Sequence, residues 1–290
     1  MGFKRGDKMS FGEAFREIRR ARDITIDNLA DEFVSKSTIS RFERDEADIT
    51  FEKLLHLMDK LKISMREFTF LARDVSIHTS SLELFPKAIM DRDLELLERL
   101  VNEEWSQFED TGSKYAKLSA IVIEAHHKSL NEQELLIEKE NIQFLTDYLF
   151  QCEMWTQFDL VLLGDSMSFL PIETAIILAK ELVKKTEAFH KDRQIFETMI
   201  NIFINIILVC LEKGRLKETE EFLGALKNLN VDETFFLERV LIKYVEGLFF
   251  MKQGTLEQGE RQVRESLLAM ELAGTPELEA IFRTMFDKMK

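Results

Sequence analysis

A short segment near the N-terminus, TIDNLADEFVSKSTISRFER over residues 25–44, gathers side chains that can read nucleic-acid bases. Hydroxyl, ammonium and guanidinium groups alternate in its second half, and such groups reach guanine O6 and N7, thymine methyls and phosphates. The first N–H groups of a helix starting after Thr25 would also hold a phosphate through the helix dipole. The segment therefore predicts a surface that contacts double-stranded DNA. The candidate contact residues are Thr25, Lys36, Ser37, Thr38, Ser40, Arg41 and Arg44.

The apolar residues of the same segment indicate how these side chains are held. Ile24, Leu29, Ile39 and Phe42 form one apolar set, and Ala30 is small enough for a tight helix crossing. Such a set locks two short helices at a steep angle and leaves the outer face of the second one free. A helix presented in this way fits the major groove of DNA.

The run Ser35 to Arg44 resembles the phage-repressor-like (XRE or Cro/C1-type) helix-turn-helix, in which Ser-x-Ser-x-Ile-Ser-Arg-aromatic-Glu-Arg is typical. The resemblance implies that Arg19 of the first helix pairs with Glu43, so these two residues are assigned to structure. Two features depart from the pattern. The segment DEFVSKS lacks the turn glycine and is one residue short, and Asp45 stands where a glycine usually follows Glu-Arg. Aspartate tolerates left-handed backbone, so the second change is mild.

A second group of candidate residues lies in the C-terminal part of the chain. Asn201 and Asn205 are spaced i and i+4 in the apolar run MINIFINIILVC, so they share a helix face. A carboxamide offers a donor and an acceptor to a peptide unit, which makes both residues candidates for binding a peptide. Arg193, Lys243 and Tyr244 could extend that surface. The alternatives are pairing with neighbouring helices for the two amides, and solvated or core-edge positions for the other three.

The sequence shows no pattern typical of metal binding or catalysis. The adjacent His126 and His127 point to different faces of a helix and no third ligand has suitable spacing, so no metal site is predicted. There is no phosphate-cradling glycine loop, no glycine-flanked serine and no strand pattern, so neither an enzyme nor a cofactor is expected. Cys152 and Cys210 lie in apolar stretches, which favours buried thiols in a reduced cytoplasmic protein. The run IFINIILVCL is too short to cross a bilayer.

Helix start signals divide the first 73 residues into five short amphipathic helices. Serine or threonine precedes each helix, as N-cap residues do. The predicted caps are Ser10, Thr25, Ser35, Thr50 and Ser64. Periodicity then lapses in DVSIHTSSL, which predicts a linker over residues 74–84.

The region 85–290 contains two similar stretches, residues 198–229 and 238–272. Each is a long apolar helix ending at a glycine and followed by a charged amphipathic helix, and Gly214 and Gly254 are 40 residues apart. This pattern is typical of a tetratricopeptide-like repeat, so the sequence predicts an all-α chain with an N-terminal helix-turn-helix domain and an α-solenoid. The solenoid would present a concave surface for effector binding and would carry the dimer contacts.

Charge is unevenly distributed along the chain. The 39 basic and 53 acidic residues give a net charge of -14. Residues 1–70 are neutral, and the whole acidic excess lies beyond them. This distribution fits a neutral DNA-binding domain joined to an acidic domain that does not contact the phosphates.

The segment LADEFVSKSTISRFER, the chain length and the helical-repeat remainder together resemble the Rgg (Rgg/GadR/MutR) regulators. The resemblance implies a homodimer that binds promoter DNA and a repeat domain that receives a short hydrophobic signalling peptide. Two alternatives stay open at this point. The protein could be a peptide- or protein-binding scaffold whose N-terminal domain mainly dimerises, or a DNA-binding regulator with a protein partner or no effector.

Overall fold

A computed structural model describes residues 9–72, 81–131, 137–189 and 191–289 of the chain. Within these ranges the regular structure is entirely helical, which confirms the predicted all-α class. The chain forms two compact units, Met1–Ser80 and Ser81–Lys290. Most of the predicted linker falls outside the described residues. Its last four positions, 81–84, are already helical and not linker, because Leu82 packs into the core of the second unit.

Over its described residues, 9–72, the N-terminal unit has five helices. They are α1 (Phe11–Ala21), α2 (Ile26–Leu29), α3 (Lys36–Phe42), α4 (Phe51–Leu61) and α5 (Met65–Leu71). Each begins at the predicted serine or threonine, whose hydroxyl accepts a hydrogen bond from the backbone N–H three residues later. Such caps satisfy N–H groups that have no partner inside the helix.

The core of this unit is small and tightly packed. Phe15, Ile39 and Phe68 are fully buried at its centre. Gly12 is required where α1 crosses the end of α3, because a Cβ there would lie 2.1 Å from the Phe42 carbonyl oxygen. The crossing fixes α3 against α1.

The C-terminal unit has longer helices. They are α6 (Ser81–Met90), α7 (Leu94–Thr111), α8 (Lys114–Leu130), α9 (Lys139–Gln151), α10 (Gln157–Ser166), α11 (Ile172–Lys185), α12 (Arg193–Glu212), α13 (Leu216–Asn228), α14 (Phe236–Lys252), α15 (Leu256–Leu272) and α16 (Pro276–Met289). Helices α8, α10, α12 and α14 contact one another in succession, and α11 and α13 pack against α12. This stacking of helix pairs is the predicted repeat arrangement.

Two pairs of glycines shape the repeats. Gly214 and Gly254 have φ angles of 70° and 95°, so both turns use a left-handed conformation that suits glycine. Gly247 and Gly259 lie where α14 meets α15, and a Cβ on Gly259 would be 2.6 Å from the Gly247 carbonyl oxygen. The two backbones therefore touch with no side chain between them.

Helix α12 corrects one expectation from the sequence. The apolar run belongs to a 20-residue helix, which is long and apolar enough to span a membrane. Its length therefore does not argue against a membrane span. Instead, Ile200, Phe203 and Ile207 are buried in the core of the C-terminal unit, as in the central helix of a packed domain.

Candidate nucleic-acid interface and ligand surface

Helix α3 presents one polar face and buries the other. Ile39 and Phe42 pack into the core, with exposed fractions of 0% and 7%. Lys36, Ser37 and Arg41 are exposed on the opposite side, and the remaining candidates on this helix are half-buried. These are Thr38, whose hydroxyl lies 2.9 Å from that of Ser35, and Ser40.

A buried ion pair joins the first helix to the end of the third, as the sequence predicted. Arg19 Nε and Nη2 donate to the two carboxylate oxygens of Glu43, at 2.5 and 2.7 Å. Nη1 donates to the Ile24 carbonyl at 2.7 Å. The hydrogen bond to Glu43 raises the pKa of Arg19 above its ordinary value. The pair leaves Glu43 unavailable to DNA and fixes the angle of α3.

The turn before α3 uses a carboxylate in place of a glycine. Asp31 Oδ1 accepts hydrogen bonds from the backbone N–H groups of Phe33 and Val34, at 3.0 and 2.9 Å. No residue between α2 and α3 has positive φ, so the turn does not need glycine. Lys60 and His56 of α4 also contact the Asp31 carboxylate. Their hydrogen bonds, that from Lys60 first, hold the pKa of Asp31 well below its usual range.

The predicted second helix is shorter than its sequence pattern suggested. Helix α2 ends at Leu29, after a single turn, because Asp31 draws the chain into the turn that follows. Thr25 is exposed, and its hydroxyl accepts from Asn28 N–H. One turn of helix carries little dipole, so Thr25 and the neighbouring N–H groups would contact a phosphate mainly as hydrogen-bond donors.

Two of the three cations predicted to contact DNA form ion pairs with neighbouring carboxylates. Lys36 Nζ lies 2.9 Å from Asp27, and Arg44 Nη2 lies 2.9 Å from Glu46. Arg41 forms no ion pair within the described part of the chain. Arg41 is therefore the cation of α3 that can approach DNA without first leaving an acidic partner.

Asp45 takes the left-handed conformation expected at the position where the motif has glycine. Its φ is 55°, and its carboxylate accepts a hydrogen bond from Ser10 Oγ at 2.6 Å. The hydrogen bond ties the end of the recognition segment to the cap of α1. The substitution for glycine is thus accommodated locally.

On α12 the two predicted amides lie on the accessible stripe of an otherwise buried helix. Asn205 is exposed and Asn201 is half-buried. Neither has a hydrogen-bond partner among the described residues. One turn before them, Thr198 accepts a hydrogen bond from Gln157 of α10 at 3.1 Å. The two side-chain amides are therefore available to a ligand.

The three other residues predicted to line the ligand surface lie in different surroundings. Tyr244 is fully buried and its hydroxyl donates to the Phe282 carbonyl at 2.6 Å, so the prediction that it lines a ligand surface is wrong. Arg193 is occupied in holding Thr234, to whose hydroxyl and carbonyl it donates at 2.9 and 3.0 Å. Lys243 is exposed and lines a groove that neither asparagine reaches.

The histidines also have structural surroundings. His126 Nε2 donates to the Asp165 carbonyl at 2.7 Å, and its ring packs edge-on against Phe85 and Phe169. Burial lowers its pKa. Within the described ranges, no group of three or more metal-ligating residues comes together.

Sequence reasoning missed the residues that shape the turn and the groove. Asp31 and Lys60 carry no motif of their own, although an aspartate two residues before a turn N–H is a recognisable Asx-turn signal. Arg239 and Phe236 line the same groove as Lys243. Only packing of three helices brings these groups together, so no local pattern identifies them.

Each of the two units matches a known family model. The family model for the C-terminal domain of the HTH-type transcriptional regulator Rgg matches residues 97–284, and the family model for a helix-turn-helix matches residues 15–68. The SHP pheromone receptor Rgg2 from Streptococcus dysgalactiae is 26% identical, with a TM-score of 0.82 over 97% of this chain and 100% of that one.

Two more distant structures share the fold. A putative transcriptional regulator from Listeria monocytogenes is 18% identical, with a TM-score of 0.85 over 98% of each chain. PrgX, in its complex with cCF10, is 14% identical, with a TM-score of 0.73 over 96% of this chain and 92% of that one. The family is confirmed by the match to the Rgg C-terminal domain, together with the helix-turn-helix match and the geometry of α3: the chain is a helix-turn-helix transcriptional regulator of the Rgg family.

Proposed function

We propose that this regulator acts as a cytoplasmic homodimer that places α3 of each subunit in the major groove of promoter DNA. The DNA-binding region would comprise residues 1–73, and residues 85–290 would receive the effector and provide dimer contacts. Each subunit would read one half-site of an inverted repeat. The observation that carries this proposal is the outer face of α3, whose polar side chains are exposed while Ile39 and Phe42 anchor the helix.

The roles of individual side chains follow from their surroundings. Ser37 and Arg41 are exposed and would read base edges, with Lys36, Thr38 and Ser40 beside them. Arg44, which pairs with Glu46, would contact a phosphate. Because phosphates must replace Asp27 and Glu46 as partners of Lys36 and Arg44, each subunit gains little net electrostatic attraction. Binding therefore requires two subunits.

The effector we propose is a short hydrophobic peptide. Support comes from the similarity to Rgg2, which is described as an SHP pheromone receptor, and from the accessible amides of α12. Asn201 and Asn205 would each offer a donor and an acceptor to the peptide backbone. Such a peptide controls DNA binding or promoter activity only if it binds two states of the dimer with different affinity.

The DNA proposal is tested by gel shift with the intergenic segment upstream of the protein's own reading frame. Arg41→Ala should reduce affinity for this segment more than affinity for unrelated DNA, because a base contact is lost. Lys252→Ala, which removes a positive charge from an exposed position in the C-terminal unit, is the matched control. An equal loss on both DNAs would make Arg41 a phosphate contact. No shift at any moderate salt concentration would contradict DNA binding by this chain.

The effector proposal is tested by calorimetry with synthetic peptides encoded in small reading frames beside the gene. Asn205→Ala should weaken binding of the active peptide about tenfold, as loss of one or two hydrogen bonds does. Gln194→Ala, at another exposed position of α12, is the control. Equal affinity for wild type and Asn205→Ala would remove this residue from the site.

A further inference from the structure

A groove with a volume of about 500 Å³ lies between α13, α14 and α15 of the C-terminal unit. This volume is within the range of small-ligand sites, roughly 300–1,000 Å³. Neither Asn201 nor Asn205 lines the groove, so it is separate from the accessible stripe of α12. None of the DNA-contact candidates belongs to it.

The walls of the groove are mainly apolar. Leu226 of α13, Val240 of α14 and Ala269 of α15 contribute, together with Val231 from the loop between α13 and α14. Phe236, also in the wall, leaves 61% of its surface exposed. An exposed phenylalanine beside an apolar concavity gains free energy when a second apolar group covers it.

Cations predominate among the charged groups of the groove. Lys227, Arg239 and Lys243 line it, against a single acid, Glu265. Lys227 is paired with Glu246 at 2.7 Å. Arg239 and Lys243 form no ion pair within the described ranges.

The acids near these cations are already engaged. Burial alone would raise the pKa of Glu246, but hydrogen bonds from Lys227 and Gln262 outweigh it and hold the pKa below the ordinary value. Glu265 faces Arg261 at 3.9 Å. The charge of Lys243 also lowers the pKa of Glu246, and that of Arg239 lowers the pKa of Asp232. Neither cation lies within 4.0 Å of a carboxylate of the described residues, so both can still pair with an anionic ligand in a region of the chain that is otherwise acidic.

The loop that forms one end of the groove is held in place before any ligand arrives. Asp232 accepts from the N–H and hydroxyl of Thr234, at 2.7 and 2.6 Å. Arg193 donates to Thr234 and stacks over the ring of Phe235, 4.3 Å from its centroid. Phe235 itself is buried. A site whose walls are already ordered loses less conformational entropy on binding.

We propose that this groove binds the carboxyl-terminal end of a short apolar peptide. The terminal carboxylate pairs with Lys243 and Arg239, and an apolar side chain covers Phe236. The side-chain amide of Asn230, which is exposed and also lines the groove, serves the peptide backbone and favours a peptide over a fatty acid. The ligand class rests on the proposed function, whereas the location rests on the groove.

The test uses the full-length protein and N-terminally fluorescein-labelled hexapeptides of leucine, isoleucine, valine and glycine. Each peptide is prepared with a free carboxylate and as the C-terminal amide, and binding is measured by fluorescence anisotropy. Because a charge-assisted hydrogen bond is lost, amidation should weaken binding to the wild type about tenfold. Lys243→Gln should weaken binding of the free acid by a similar factor and leave the amide unaffected. Lys252→Gln, on an exposed lysine of the same helix outside the groove, should change neither.

A second variant, Ala269→Leu, blocks the groove without removing charge, and its folding is checked by circular dichroism. It should weaken both peptide forms. Equal binding of acid and amide, no effect of Lys243→Gln, or no binding of any hexapeptide to the wild type would overturn the proposal. Equally tight binding of decanoate would replace the peptide with a fatty acid. If Asn205→Ala abolishes binding of the genomically encoded peptide while both groove variants bind it normally, the proposed function stands and this inference fails.

Discussion

The two units of the chain start their helices in different ways. In the N-terminal unit all five helices begin with a serine or threonine whose hydroxyl accepts a backbone N–H. In the C-terminal unit, α9, α11, α13, α14 and α15 begin without any side-chain cap. The C-terminal helices are also longer, up to the 20 residues of α12.

The contrast shows which interactions fix each unit. A helix of one or two turns has few internal hydrogen bonds, so capping groups and ion pairs make a large share of its stability. A long helix that buries an apolar stripe is stabilised by packing, and its first N–H groups can be left to solvent. The N-terminal unit should therefore be sensitive to polar substitutions at helix ends, and the C-terminal unit to changes of shape in its interior.

The largest effect is expected from breaking the buried ion pair of the N-terminal unit. Arg19→Met leaves the carboxylate of Glu43, which is 4% exposed, without its partner. The free energy of unfolding of this unit should fall by about 3–5 kcal/mol. Hydrogen exchange of α1 and α3 measures it. Tryptophan fluorescence should show an unchanged transition, because Trp105 and Trp155 both lie in the C-terminal unit.

Arg20→Met is the matched control for this variant. Arg20 is exposed and lies 4.0 Å from Glu17, so its loss should change the unfolding free energy by less than about 0.5 kcal/mol. Equal effects of Arg19→Met and Arg20→Met would show that the buried pair does not hold the N-terminal unit together.

The next largest effect tests packing in the C-terminal unit. Gly259→Ala places a Cβ 2.6 Å from the Gly247 carbonyl oxygen and 2.8 Å from Met251 N, so the backbones of α14 and α15 must separate. We expect the free energy of unfolding, measured from the denaturant transition followed by tryptophan fluorescence, to fall by about 3 kcal/mol. Gly224→Ala on α13 meets no atom within 4 Å and should instead stabilise the unit by about 0.5–1 kcal/mol. If Gly259→Ala left the free energy of unfolding unchanged, α14 and α15 would be able to move apart freely.

A third prediction concerns two carboxylates, one in each unit, whose pKa values shift in opposite directions. Hydrogen bonds lower the pKa of Asp31, whereas burial raises that of Asp165 on α10 to about 7. Because the folded state holds the Asp165 proton more tightly, this group's stabilising contribution is present at low pH. It is lost as the pH rises from about 4 through about 7.

Asp165→Asn removes this dependence. Above pH 7 the free energy of unfolding of the variant should exceed that of the wild type by on the order of 2 kcal/mol. This is about half of the value for a fully buried group, because Asp165 is only half-buried and solvent screens its charge. The variant should gain nothing near pH 4. Denaturation followed by tryptophan fluorescence across this pH range measures the difference. Asp110→Asn, at an exposed position of α7, is the control. A difference that does not vary with pH would contradict the raised pKa of Asp165.

The smallest effect compares two threonines at equivalent helix positions. The Thr50 hydroxyl accepts from Lys53 N–H at the start of α4, and Thr50→Ala should cost the N-terminal unit about 1 kcal/mol. Thr255 precedes α15 but makes no side-chain cap, so Thr255→Ala should cost less than about 0.5 kcal/mol. Similar costs, measured by hydrogen exchange in each unit, would remove the distinction between the units.

Features that depend on neighbouring residues could be predicted from the amino-acid sequence alone. All five caps of the N-terminal unit, the left-handed Asp45 and the glycine turns of the repeats could be predicted, because a cap or a turn involves residues within a few positions. The pairing of Arg19 with Glu43 was also predicted, through the resemblance of the motif to a known helix-turn-helix.

Which side chains of the C-terminal unit reach solvent depends on how its helices pack. Lys243 and Tyr244 are adjacent in the sequence, yet one lines a groove and the other is buried against Phe282. Adjacent residues on a helix point about 100° apart, and which of them is covered depends on helices far away in the chain. Arg193 was lost as a ligand contact for the same reason, because Thr234 reaches it from 41 residues away.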